Sequence, residues 1–235
     1  MLRFTLLILT LSSTVAASAI AQVSSFKTPV QRNIEGWTVL IDPDLLAADH
    51  QKTADRALKA LANHLQRVTF IVPAERVTEL QKLRIWVDLS HELKSMQYHP
   101  SERWLTENGY NPKLVKCVHI PRAAALFDPH MWAKHPYCVL HELAHAYHDQ
   151  VLNFEHPQIK AAYDNAKQAG ILEDVLAHTG NRVKHYGLTN HKEYFAESTE
   201  AYFGVNDFYP FVRAELKEHD PRMFATLVKV WGPVQ

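Results

Sequence analysis

Apolar residues recur along this chain with two different periods, and the change of period divides it. Between 45 and 68 the positions Ala54, Leu58, Leu61 and Leu65 fall three or four apart, which places them on one helical face and predicts a long amphipathic helix. The segments 37–41, 83–88 and 115–120 instead alternate or run apolar over a few residues, and strands are predicted there. A shorter helical turn opens at Pro73. Residues 91–113 carry Pro100, Gly109 and Pro112 among polar groups and read as loop with short helical pieces. Beyond Pro136 the pattern is helical almost throughout: 137–153, 158–169 with Gly170 as a stop, 192–203, and two short helices near the end. The last of these starts at Asp220, an N-cap residue, with Pro221 in the first turn, where its missing N–H costs nothing. Residues 22–35 show no periodicity and are predicted to be an extended lead-in to a domain over 36–235. The expected class is α+β, with a small mixed α/β front lobe holding a short sheet and a mainly helical back lobe.

Composition narrows the function classes. A chain of 235 residues, 47% hydrophobic and 21% charged, suffices for one domain with a buried core. Its 25 basic and 25 acidic residues cancel, which removes the electrostatic footprint expected for binding nucleic acid or an anionic membrane. A monomer is expected. At the N-terminus a single Arg3, an apolar run over 4–11 and Ala19-Ile20-Ala21 form the pattern of a secretory signal peptide, 1–21, cut after Ala21. The apolar run is shorter than the ~20 residues a membrane span needs, so no stable membrane insertion is expected after cleavage. The predicted location is secreted or periplasmic. Cys117 and Cys138 would then meet an oxidising compartment, either paired in a disulfide or buried as two thiols; sequence leaves both open.

The 15 histidines draw attention to metal chemistry, and one group has a spacing that serves it. In His141-Glu142-Leu143-Ala144-His145 the two imidazoles lie one helical turn apart and point the same way, so both can bind one tetrahedral zinc ion per chain. Glu142 sits about 100° round the helix, beside the metal, where its carboxylate can act as general base towards water. The pattern is short, and a random arrangement of this composition produces it roughly one time in twenty, so a third ligand is the useful check. His148 is on the same stripe, but its rise from His141 is about 10 Å, too far for one ion to be shared, and it is expected to be a core or supporting residue. The positions a metzincin would need hold His148 and Val151. Glu193 and Glu197, four apart on the next long helix and flanked by Tyr194, Phe195 and Ala196, form a better candidate. One carboxylate of such a pair can bind zinc while the other accepts the N–H of a ligating histidine.

These residues resemble the zinc metallopeptidases of the anthrax lethal-factor type, a gluzincin group that includes the Pro-Pro endopeptidases. The resemblance rests on 141–145, on the run from Tyr186-Gly187-Leu188 to Glu193-Tyr194-Phe195-Ala196-Glu197, and on the distance between them; the two blocks cover roughly a third of the mature chain. It implies a zincin-like catalytic domain with His141, His145 and Glu193 as zinc ligands and Glu142 as general base. It also implies Tyr186 as the group that steadies the oxyanion or protonates the leaving amine, and Glu197 as the carboxylate behind a ligand histidine. The chain has no room for a toxin's receptor-binding or translocation domains. The resulting expectation is a secreted metallopeptidase, an endopeptidase rather than an exopeptidase, acting on a peptide or protein substrate. That substrate is expected to lie extended and antiparallel to the strand over 115–120. Two other readings share the zinc site: a secreted zinc-binding protein without turnover, and an amidase acting on cell-wall peptide or another non-protein amide.

Overall fold

The computed structural model describes residues 26–234, so the expected signal segment 1–21 lies outside them. A mixed five-stranded sheet runs in the order β1 (Val30–Ile34), β2 (Trp37–Ile41), β3 (Arg84–Val87), β5 (Cys117–Ile120), β4 (Gln97–Tyr98). The outer pairs are antiparallel, and β2, β3 and β5 are parallel to one another. Parallel neighbours need crossovers, and the first is supplied by α1 (Gln51–Ile71) and α2 (Ala74–Leu80). In register, Val39, Ile85 and Val118 align, as do Ile41, Val87 and Ile120, and this apolar face is buried against α1 through Ala54, Ala57, Leu61, Leu65 and Val68. Burying a leucine of this kind stabilises by roughly 1.5–3 kcal/mol. The other face carries Trp86, Cys117 and His119 and is covered by α3 (Glu102–Glu107) and its following turn through Leu105 and Leu114.

Two strands of this sheet depart from expectation. Part of the predicted lead-in is β1, joined to β2 by a two-residue turn in which Glu35 (φ 51°) and Gly36 (φ 93°) both adopt positive φ. That is the turn whose twist suits a hairpin, and a Cβ at position 36 would also strike the Gln81 side chain at 2.1 Å. The strand has no apolar alternation because it is an exposed edge, so the sheet begins before residue 36. Within the predicted loop at 91–113, β4 pairs with β5, Gln97 opposite His119 and Tyr98 opposite Val118. At two residues it is too short to show a period.

The back half is helical: α4 (Pro129–Lys134), α5 (Cys138–Tyr147), α6 (Pro157–Gln168), α7 (His191–Phe203), α8 (Arg213–His219) and α9 (Pro221–Trp231), with a small hairpin of β6 (Val175–Leu176) and β7 (Arg182–Val183). The predicted helix over 137–153 changes after Tyr147 to a π-helical turn over 148–152, ended by Asn153 at φ 69°. Every residue of α5, and every residue of α7 from Tyr194 onward, is buried. Tyr147, Phe195 and Trp231 stack between α5, α7 and α9, with ring centroids 4.4 and 5.8 Å apart, and the Trp231 indole N–H donates to Thr199 Oγ1 at 3.1 Å. This packing sets the relation of α5 to α7. Asp220 caps α9 as predicted, accepting from Met223 N at 2.9 Å. Cys117 and Cys138 are both buried and unpaired. Among the described residues no helix is long and apolar enough to cross a membrane.

Candidate metal centre

The buried face of α5 presents His141 and His145 one turn apart to the first turns of α7. A 3-10 turn over Tyr186–Thr189 leads into α7, and Asn190 caps it by accepting from the backbone N–H groups of Lys192 and Glu193. The turn packs close to α7: a Cβ at Gly187 would lie 3.0 Å from the Tyr194 backbone and from the His185 ring, so glycine permits the approach. The buried His185 accepts from Gly187 N at 2.9 Å and holds the turn in place.

Three atoms converge here. The Nε2 atoms of His141 and His145 are 3.1 Å apart, and Glu193 Oε2 lies 3.3 Å from the first and 3.1 Å from the second. A tetrahedral ion about 2.0–2.1 Å from each ligand requires ligand atoms about 3.3 Å apart, so the triangle has the size such an ion needs. His141 Nδ1 donates to Glu200 Oε1 at 2.7 Å, because a carboxylate can only accept; this turns Nε2 towards the triangle, where exchange of its proton for a metal ion would free the ligating lone pair. Among the described residues the second grouping of metal-ligating type is His135, His141 and Glu200. It shares His141, and its carboxylate is already bonded to both imidazoles through Oε1, at 2.7 Å from His141 Nδ1 and 2.9 Å from His135 Nε2.

The surroundings favour positive charge at this point. Burial opposes protonation of His141, yet the carboxylates of Glu193 and Glu200 outweigh it and raise its pKa well above the ordinary value. Burial likewise works against ionisation of Glu193, and the two histidines reverse it, holding the carboxyl below the usual range. Glu200 is wholly buried, but His135 and His141 keep it ionised. Glu197 is pushed the other way, well above the ordinary carboxyl value, by burial and then by the Glu200 charge.

Glu197 therefore does not fill the place expected of it. Its Oε1 is 3.7 Å from His141 Nδ1, beyond a hydrogen bond, whereas Glu200, one turn further along α7, makes that bond. His135, just before α5, bonds the same Glu200 oxygen at 2.9 Å, and sequence reasoning missed it because no spacing links it to the motif. His148 is buried, as expected, against Phe154, His191 and Phe195.

The triangle opens on a cleft of about 620 Å³ that Glu142 and Tyr186 also line. Residues 94–98, including β4, line it as well, with Met131, Lys134 and Phe208 on the side where the chain enters α5 and Phe154 and Lys192 on the side where it leaves. The sheet edge beside the cleft is β4, because β4 already occupies the side of β5 on which a peptide was expected to pair. Tyr186 is 49% exposed, the most open of the predicted site residues.

A second histidine cluster lies on the outer face of the sheet. His119 Nε2 is 2.9 Å from Asp88 Oδ2 and its Nδ1 is 3.0 Å from His99 Nε2, while the Trp86 indole N–H donates to Asp88 Oδ1 at 2.7 Å. Comparison of the chain with protein-family models, with curated proteins and with solved structures finds no match.

Proposed function

We propose that this chain is a zinc-dependent peptidase of zincin-like fold, exported by its N-terminal segment and acting on an extended peptide bound in the cleft. The observation that carries the reading is the triangle of His141 Nε2, His145 Nε2 and Glu193 Oε2, with edges of 3.1 to 3.3 Å, opening on a cleft that Glu142 lines. Two neutral nitrogens and one carboxylate are a donor set suited to zinc, and three protein ligands leave a position for chemistry. When bound, zinc supplies Lewis acidity, making water nucleophilic near neutral pH and polarising a carbonyl.

The chain's own residues do the rest. Glu142 takes the proton of the attacking water and passes it to the departing nitrogen. Burial, reinforced by the Glu193 charge, holds the Tyr186 phenol above its ordinary pKa, so it stays protonated and donates to the oxyanion that develops. Glu200 and His135 fix the ring of His141. The open backbone edge of β4 pairs with the substrate in antiparallel fashion. Tyr98 stiffens that edge, its hydroxyl donating to Asp149 at 2.5 Å in the π-helical turn.

The test is metal analysis together with a peptide-library digest of the wild type and Glu142→Ala. Both proteins are expected to hold one zinc per chain, and the variant to lose roughly 10²- to 10⁴-fold in rate. Full activity in Glu142→Ala would overturn the mechanism.

A further inference from the structure

Three lysines line the cleft, and among the described residues only Lys134 has a carboxylate within 4 Å; of the other two, Lys94 is exposed and Lys192 is half-buried. Lys134 lies 3.9 Å from Asp207. Lys192 has no carboxylate within 4 Å among the described residues; its ammonium instead sits 4.0 Å from the centre of the Phe154 ring. Phe154 is anchored in turn, since its carbonyl accepts from His191 Nε2 at 2.8 Å and its ring packs against buried His148. Glu155, the next residue, is engaged by Lys160. Lys192 also lies in the first turn of α7, a helix of 13 residues, so the partial positive charge of the helix terminus adds to its own. A half-buried cation held over an aromatic ring and left without a counter-ion is arranged for an anion that arrives with the ligand.

Strand direction says which part of a substrate meets it. Tyr98, the last residue of β4, reaches Asp149, beyond His145, so β4 ends over the C-terminal end of the α5 segment. A peptide antiparallel to β4 then enters with its N-terminal part at that end, where Phe154 and Lys192 line the cleft, and leaves past His141 towards Lys134.

Building on the peptidase reading above, we propose that Lys192, seated on Phe154, selects substrates with an Asp or Glu side chain on the N-terminal side of the scissile bond. Lys192 is a specificity residue and plays no part in bond cleavage. The C-terminal carboxylate of a peptide would lie at the other end of the cleft and is not its ligand.

The experiment has a cutting arm and a binding arm. In a degenerate peptide library, wild type should enrich Asp and Glu within the three positions before the cut. Lys192→Met should lose that enrichment, and Lys192→Glu should replace it with Lys and Arg. A Glu peptide taken from the library should be cut roughly tenfold better than its Gln counterpart by wild type and about equally by Lys192→Met, whether its C-terminus is free or amidated. In the binding arm, a labelled peptide of alternating Glu and Ala and its Gln analogue are titrated onto Glu142→Ala protein by fluorescence anisotropy, with and without Lys192→Met. Zinc content and circular dichroism check folding. Equal affinity for the two probes, or acidic enrichment only after the cut, overturns the anchor. Acidic preference in binding with no cleavage of any peptide by wild type leaves the anchor standing and overturns the peptidase reading instead.

Discussion

The two buried histidine clusters use the same side chains to opposite ends. On the outer face of the sheet, Asp88, His119 and His99 form a line in which each inner nitrogen already has a partner. In the cleft, His141 spends Nδ1 on Glu200 and turns Nε2 towards His145 Nε2 and Glu193, so donor atoms converge on one point. A line of hydrogen bonds satisfies polar groups and needs nothing further. A convergence of two ring nitrogens and a carboxylate oxygen is an arrangement that a cation completes. Burial and histidine count do not separate the two clusters; the direction of the ring nitrogens does.

Breaking the convergent cluster should have the largest effect. Glu193→Ala removes a corner of the triangle and is expected to weaken zinc binding by more than ~100-fold, beyond what loss of an outer carboxylate costs. Competition with a chelator measures it, and unchanged affinity would remove Glu193 from the ligand set. Glu200→Ala should cost about 10- to 100-fold, because the ring of His141 loses its orienting acceptor, while Glu197→Ala should cost less. A larger loss for Glu197→Ala would reverse the assignment made from the 2.7 and 3.7 Å separations.

The linear cluster should respond in stability alone. His119→Phe leaves Asp88 and His99 without their partner and is expected to lower unfolding free energy by about 1–3 kcal/mol in urea denaturation, with zinc content unchanged. Loss of zinc in that variant would mean the clusters are coupled. Burial, followed by the charges of His119 and His91, lowers the His99 pKa from the ordinary 6.5 to about 3. The unfolded chain therefore takes up a proton below pH 6.5 that the folded chain refuses. This contribution is fully present above that pH and is lost as pH falls from 6.5 towards 3, by at most about 1.4 kcal/mol per pH unit. His64, His148 and His185 are lowered in the same way, so the drop in urea midpoint from pH 7 to 5 should be smaller in His99→Gln than in wild type, and an equal drop would show that His99 is protonated or solvated in the folded state.

Much of this was legible from residue order, and the exceptions share a cause. The α1 stripe and the strand at 37–41 announce themselves because each buries one face and burial imposes a period, while 84–87 and 117–120 show as short apolar runs because both faces of the sheet are covered there. β1 is an exposed edge and β4 spans two residues, so neither has a period to read, although β4 borders the cleft.

At the candidate site the division is similar. The spacing of His141 and His145 on one helix determined that their rings point together, since 3.6 residues per turn is a local property of the backbone. The three acids Glu193, Glu197 and Glu200 share a stripe of α7 for the same reason. Which of them meets His141 depends on how α7 is set against α5, and that is decided by the packing of Tyr147, Phe195 and Trp231, drawn from three helices distant in sequence. Tertiary structure therefore placed Glu200 behind His141, brought His135 to support it, and left Lys192 without a counter-ion at one end of the cleft. Contacts of that kind form between elements, where no local periodicity records them.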